Sequence, residues 1–142
     1  MAEVWFYEKP GCVSNIKQKQ LLMQAGHQVI SHNLLKADWD ITNLRMFFGD
    51  LPTAQWFNCN APTIKDGWIE PQALDEVQAI KLMVSEPILI RRPLIRVGNE
   101  YMVGFDVDAV DKWIGLVNIN ANTLTQDDLE SCPQQKQISY AE

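Results

Sequence analysis

Residues 4–15, with the sequence VWFYEKPGCVSN, decide the fold of this chain. Residues 4–7 are all β-branched or aromatic, which predicts a short strand, and Pro10 with Gly11 predicts the turn that ends it. A helix is predicted to follow, because apolar residues recur at helical spacing until Gly26. Its apolar positions are Val13, Ile16, Leu21, Leu22 and Ala25. Cys12 is therefore predicted to lie between the end of a strand and the start of a helix.

This position favours a reactive Cys12. Open α/β sheets bind ligands at the C-terminal ends of their strands, and the free N–H groups of a helix N-terminus stabilise anions. A thiolate is an anion, so we expect Cys12 to be nucleophilic near neutral pH. The alternative is a cysteine that packs as a small hydrophobic residue. Asn15, not a second cysteine, lies three residues on, so a reactive Cys12 would form a monothiol site.

Composition restricts the class of protein. The chain has 142 residues, 46% of them hydrophobic, which predicts one domain over residues 1–118 and a polar, disordered tail over residues 119–142. A net charge of −6 argues against a nucleic-acid partner. There is no apolar run of the roughly 20 residues that cross a bilayer, and no secretory signal at the start. Three widely spaced cysteines form no disulfide framework, so a cytoplasmic protein with reduced thiols is expected.

The rest of the chain completes an α/β pattern. A second strand over residues 28–33 makes a parallel strand-helix-strand unit with the first. Residues 40–84 are predicted to be mostly helical, with residues 63–71 irregular and Asp75 capping the last helix. Residues 88–90 are predicted to form a buried strand, residues 94–97 and 101–105 a hairpin, and Asp106 or Asp108 to start a final helix. We predict a thioredoxin-like α/β fold with a helical insertion and a mixed four-stranded sheet.

These features resemble the ArsC-like arsenate reductases and their Spx and nitrogenase-associated relatives. The resemblance runs from residue 4 to residue 116 and is carried by Tyr7-x-x-Pro10-x-Cys12, by the segment EPILIRRPLI at residues 86–95, and by the hairpin at residues 97–105. The segments at residues 47–50, 56–58 and 61–62 are most similar to the nitrogenase-associated branch.

The resemblance implies a site around Cys12. Pro93 would be a cis proline beside the cysteine loop, although an ordinary strand-edge proline is the alternative. Arg92 would bind an oxyanion or a carboxylate such as that of glutathione, unless it is only a solvated residue at a strand end. The remaining candidate binding residues are Lys9, Ser14, Asn15 and Asn58. We expect no metal site, since His27 and His32 lack a ligand pattern.

The chain departs from the arsenate reductases at two positions. Those enzymes hold the arsenate–thiol adduct with three arginines, and here only Arg92 is present, with Asn58 and Gly104 at the other two positions. Each missing charge-assisted contact is worth roughly 1.5–3 kcal/mol, which argues against arsenate reduction.

Three functions follow, in order of preference. The first is a thiol oxidoreductase without a bound cofactor, in which Cys12 attacks a disulfide and glutathione or glutaredoxin is the reductant. The second is a non-catalytic protein-binding or redox-sensing module of the Spx or nitrogenase-associated type. The third is an arsenate reductase with substitute cations. Cys59 is either a resolving thiol for Cys12 or, with higher expectation, a residue without a redox role.

Overall fold

The structure is a computed structural model that describes residues 2–116. The strands are β1 (Glu3–Glu8), β2 (Gln28–Asn33), β3 (Leu94–Val97) and β4 (Glu100–Val103). The helices are α1 (Val13–Gln24), α2 (Ile41–Arg45), α3 (Pro62–Lys65), α4 (Glu76–Ser85) and α5 (Val107–Ile114). Single 3-10 turns lie at Thr53–Trp56, Pro71–Ala73 and Pro87–Leu89. The predicted tail at residues 119–142 lies outside the described residues.

The four strands form one mixed sheet in the order β2-β1-β3-β4. Strand β1 is parallel to β2 and antiparallel to β3, and β4 is antiparallel to β3. The sheet confirms the predicted thioredoxin-like α/β class. Tyr7 pairs with Leu94, so the C-terminal end of β1 lies beside the N-terminal end of β3. The residues that follow β1 and those that precede β3 therefore lie at the same edge of the sheet, the one formed by the strand ends.

Two hydrophobic cores lie on opposite faces of the sheet, because side chains alternate along a strand. Ile95 of β3 belongs to the core that includes Leu22 of α1 and Val110 of α5. The preceding residue, Leu94, belongs to the other core, which contains Met83 of α4 and much of residues 34–90. The predicted helical insertion thus covers one face, and α1 with α5 covers the other.

Helix starts follow the predicted capping chemistry. Asp75 caps α4 through a reciprocal pair of hydrogen bonds, in which its side chain accepts from the Gln78 N–H at 2.7 Å. Asp106, one of the two predicted candidates, caps α5. None of the helices among residues 2–116 combines the length and the apolar character needed to cross a membrane.

Two predictions of secondary structure are wrong. Residues 88–90 are not a strand: Pro87 starts a 3-10 turn, with the Ile90 N–H donating to the Pro87 carbonyl at 3.0 Å. Only an isolated bridge between Ile90 and Phe57 has β character there. Residues 63–71 are not wholly irregular, because Pro62 begins α3, where its fixed φ suits the first helical position.

Candidate functional site

Cys12 ends a tight turn that the sequence builds directly. The Cys12 N–H donates to the Lys9 carbonyl at 3.1 Å, which closes a four-residue turn with Pro10 and Gly11 at its centre. Gly11 has φ +81°, and proline followed by a residue with positive φ is the pattern of a type II turn. Any other residue at position 11 would be strained in this conformation. The Pro-Gly pair thereby fixes the path from β1 to the cysteine.

Cys12 is the N-cap residue of α1. Its carbonyl accepts the Ile16 N–H at 3.1 Å, and its side chain makes no capping hydrogen bond. The thiol is free and partly exposed. The first turn of α1 contains no acidic residue, so the helix itself places no carboxylate at the positive end of its dipole. The thiol therefore lies at the end of α1 where the first N–H groups have no partner within the helix.

The first turns of α1 have their polar side chains inside and their apolar ones outside. Val13 and Ile16 are 65% and 44% exposed, whereas Asn15 and Gln18 are each 1% exposed. Val13 and Ile16, which follow the apolar spacing of α1, therefore do not belong to its buried face. The physical reason is a hydrogen-bond network: Asn15 Oδ1 accepts the Lys9 N–H at 3.2 Å, and Asn15 Nδ2 donates to Gln18 Oε1 at 2.8 Å.

The peptide bond between Arg92 and Pro93 is cis, which confirms the prediction for Pro93. Pro93 is buried, and its carbonyl accepts the Gly104 N–H at 2.8 Å. Because Tyr7 pairs with Leu94, Pro93 precedes β3 at the sheet edge where the Cys12 turn leaves β1. Arg92 is partly exposed, and its Nε atom is buried without a hydrogen-bond partner among residues 2–116.

Asn58 and Gly104, the two positions at which the resemblance implies arginines, both bond to the segment of residues 88–93. Gly104 donates to Pro93 directly and has φ +77°, a conformation that suits glycine. Asn58 is buried; its N–H donates to the Leu89 carbonyl at 2.8 Å and its Nδ2 to the Ile88 carbonyl at 3.1 Å. The chain thus has a glycine and an internally bonded amide at the two positions where the resemblance to the arsenate reductases implies arginines.

The other predicted site residues have different surroundings. Lys9 and Ser14 are partly exposed, in the turn and in the first turn of α1. The Lys19 ammonium is 2.6 Å from the Glu8 carboxylate, so much of its positive charge is offset. The sequence analysis did not identify Gln18 as a buried polar residue of the site. Its spacing of three residues from both Asn15 and the buried Leu21 places it on the same helix face, and this spacing was the available signal.

The other thiol in the described region differs from Cys12. Cys59 is 6% exposed and disulfide-bonded, which departs from the expectation of reduced thiols. Its bond does not involve Cys12, which is free. Within residues 2–116, no cluster of three or more histidine, cysteine, aspartate or glutamate side chains could hold a metal ion.

Comparison with known proteins agrees with this geometry. A 15.7 kDa uncharacterized protein from the draG 3′ region of Rhodospirillum rubrum is 48% identical over 95% of this chain and 91% of its own length. An ArsC family related protein from Bacteroides fragilis superposes with a TM-score of 0.69 at 20% identity, over 78% of this chain and 97% of its own. An arsenate reductase from Vibrio cholerae gives 0.64 at 16% identity, over 82% and 98% of the two chains.

The ArsC family model matches residues 7–113, which include the Cys12 turn, the cis proline and the β3–β4 hairpin. The relative from the draG region agrees with the resemblance to the nitrogenase-associated branch. The chain belongs to the ArsC family.

Proposed function

We propose that this protein is a monothiol oxidoreductase in which Cys12 is the nucleophile. The observation that supports this most directly is the free, partly exposed thiol at the N-cap of α1, at the sheet edge that also carries the cis Arg92–Pro93 bond. In the first step the Cys12 thiolate attacks one sulfur of a disulfide. A bond forms between Cys12 Sγ and that sulfur, and the second sulfur leaves as a thiolate that takes up a proton.

A second thiol must complete the cycle. Since Asn15 lies where a dithiol site would have its resolving cysteine, the mixed disulfide is attacked by glutathione or by a glutaredoxin thiol. The incoming thiolate becomes oxidised to a disulfide and Cys12 leaves as a thiolate. No bound cofactor takes part. This dependence on a thiol pool suits the cytoplasm, which we propose as the location.

Arg92 and Pro93 are proposed to serve the substrate. Arg92 has a buried Nε donor that no acceptor in residues 2–116 uses, which supports a role in binding a carboxylate, such as that of glutathione, or the leaving thiolate. Pro93 would shape the groove beside Cys12, and Lys9 and Ser14 are accessible for further contacts. Asn15 and Asn58 are buried and bonded internally, so we give them no substrate contact here.

Arsenate is the less favoured substrate. Binding a doubly charged oxyanion in a partly buried site requires compensating charges. Asn58 and Gly104 provide none, and two lost charge-assisted contacts of roughly 1.5–3 kcal/mol each would weaken binding by several powers of ten. Arsenate reduction therefore ranks below disulfide chemistry.

A non-catalytic, protein-binding or redox-sensing role is the second candidate. It is favoured by three exposed apolar side chains on the outer face of α1: Val13 (65%), Ile16 (44%) and Met23 (54%). Residues three and ten positions apart share one face of a helix, so this apolar stripe extends from Cys12 along α1. A protein that docks on the stripe would bring its own thiol or disulfide to Cys12.

Turnover of a small disulfide distinguishes the two candidates. The reduced protein is mixed with hydroxyethyl disulfide and glutathione, and consumption of glutathione is followed. We expect turnover that falls about a hundredfold or more in Cys12→Ser and is retained in the double variant Cys59→Ser with Cys132→Ser, which leaves Cys12 as the single thiol. Arg92→Lys should retain part of the activity. Equal activity of Cys12→Ser and the parent, or no turnover by the parent, would overturn the enzymatic proposal and leave the binding role.

A further inference from the structure

We infer that Asn15 is a positioning residue for Cys12, which it holds in place through the backbone without contacting a substrate. The inference rests on the proposed function in so far as Cys12 is taken as the reacting group. Asn15 acts on the turn that precedes Cys12 and makes no contact with the substrate of Cys12.

The Asn15 side chain joins the two ends of the Cys12 turn. Its Oδ1 accepts the N–H of Lys9, the first residue of the turn, at 3.2 Å, while its backbone belongs to the first turn of α1. Its Nδ2 is fixed by Gln18 Oε1 at 2.8 Å, one helical turn further on. Both side chains are 1% exposed, so solvent does not compete for these hydrogen bonds. A substrate could not reach the Asn15 amide without opening this network.

Three hydrogen bonds consequently enclose Cys12. The Cys12 N–H is bonded to the Lys9 carbonyl and the Cys12 carbonyl to the Ile16 N–H, each at 3.1 Å. The third bond, from the Lys9 N–H to Asn15 Oδ1, connects the first residue of the turn to the first turn of α1. A displacement of Cys12 relative to the start of α1 would break at least one of these hydrogen bonds. The sulfur is therefore kept at the positive end of the helix before any ligand arrives.

Buried polar side chains are concentrated where the end of β1 meets the first half of α1. Among residues 2–116 the buried polar or charged side chains are Glu8, Asn15, Gln18, His27 and Asn58. Three of these five, Glu8, Asn15 and Gln18, lie at the end of β1 or in the first half of α1. The concentration of costly buried polar groups beside one thiol indicates that its placement is what they maintain.

Helix α2 provides a matched control within the same chain. Its third residue, Asn43, also reaches back, and accepts the N–H of the N-cap residue Asp40 at 2.8 Å. In α1 the equivalent third residue is Asn15, but the N-cap N–H of Cys12 is already bonded to Lys9, so Asn15 reaches three residues further back. The same residue type at the same helix position thus caps α2 and fastens the turn before α1.

The test compares Asn15→Ala with Asn43→Ala in the full chain. Alkylation of Cys12 by iodoacetamide is followed by mass spectrometry of its peptide at pH 7 and pH 9.5, and hydrogen exchange of the Lys9 N–H is measured by NMR. We expect Asn15→Ala to lower the ratio of the pH 7 rate to the pH 9.5 rate by about threefold or more, since the turn then no longer holds the sulfur at the start of α1. Exchange of the Lys9 N–H should accelerate about tenfold or more. Asn43→Ala should change neither.

An unchanged rate ratio or unchanged Lys9 exchange in folded Asn15→Ala would overturn the inference, as would an equal change in Asn43→Ala. If Asn15→Ala does not fold, Asn15→Ser takes its place with the same expected outcomes, because its shorter side chain cannot span to Lys9. Failure of the proposed function is seen separately, as a lack of disulfide turnover by the parent protein, while the alkylation ratio and the exchange rate still report on Asn15.

Discussion

The ion pair between Glu8 and Lys19 joins the end of β1 to α1 and should contribute measurably to stability. Lys19 Nζ is 2.6 Å from Glu8 Oε2 and 3.4 Å from Ser31 Oγ. The Lys19 side chain is 21% exposed and the Glu8 side chain 10%. Substituting Lys19→Met keeps most of the apolar stem and removes the ammonium group, which leaves the Glu8 carboxylate buried without this cation.

The magnitude follows from this burial. Breaking a fully buried pair costs about 3–5 kcal/mol, and an exposed pair contributes about 0–1 kcal/mol. The pair lies between these limits, so Lys19→Met should lower the free energy of unfolding by about 2 kcal/mol. Glu8→Gln should cost only about 1 kcal/mol, because the flexible Lys19 ammonium can then turn towards water. The double variant should cost at least about 1 kcal/mol less than the sum of the two.

Urea unfolding at pH 7, followed by tryptophan fluorescence, measures these differences as shifts of the midpoint at a constant slope. A loss below about 0.5 kcal/mol for Lys19→Met would refute the reasoning, since the pair would then behave as an exposed one. Because Glu8 offsets its charge, Lys19→Met should also change the alkylation rate of Cys12 less than twofold.

Three further predictions concern stability. Asp75→Ala removes the capping box of α4 and should lower the free energy of unfolding by about 1 kcal/mol in urea; a loss under about 0.3 kcal/mol would contradict the cap. The His27 ring accepts the Ala2 N–H at 3.0 Å and bonds the Gly115 carbonyl at 2.8 Å, so His27→Ala should lower the free energy of unfolding in urea by about 2 kcal/mol. Fast hydrogen exchange of the Ala2 N–H in the parent protein would contradict this hydrogen bond. Burial raises the pKa of Tyr7, although Arg96 partly opposes this, so the folded state holds its proton at pH values where the unfolded state has lost it. The stabilisation is present below pH about 10 and is lost as the pH rises through the folded pKa, so Tyr7→Phe should make the alkaline loss of stability shallower; identical profiles would refute this.

The parts of the fold that depend on local chemistry could be predicted from the sequence. The strand of residues 4–7, the Pro10–Gly11 turn and the Asp75 cap each follow from residue types within a few positions. The cis peptide bond before Pro93 was predicted from the resemblance to the family, because no local sequence pattern requires it.

The errors arose where tertiary contacts override a local pattern. Residues 88–90 are uniformly apolar and so suggested a strand, but Pro87 starts a 3-10 turn in which Leu89 is buried. Val13 and Ile16 follow the apolar spacing of α1, yet the buried positions in the first half of this helix belong to Asn15 and Gln18. The partner of Asn15 is the Lys9 N–H, and its availability depends on the turn geometry. The spacing of apolar residues along a helix cannot predict that a backbone N–H outside the helix will bond a buried polar side chain.

The most direct test of the account is the alkylation rate of Cys12 at pH 7 in the folded protein and in the same protein unfolded in urea, with mass spectrometry separating the three cysteine peptides. A free cysteine is only a few per cent thiolate at this pH. We predict that folding accelerates alkylation of Cys12 about tenfold or more, because the free thiol stays accessible at the N-cap of α1. A folded-state rate equal to or below the unfolded-state rate would show that this fold does not activate Cys12.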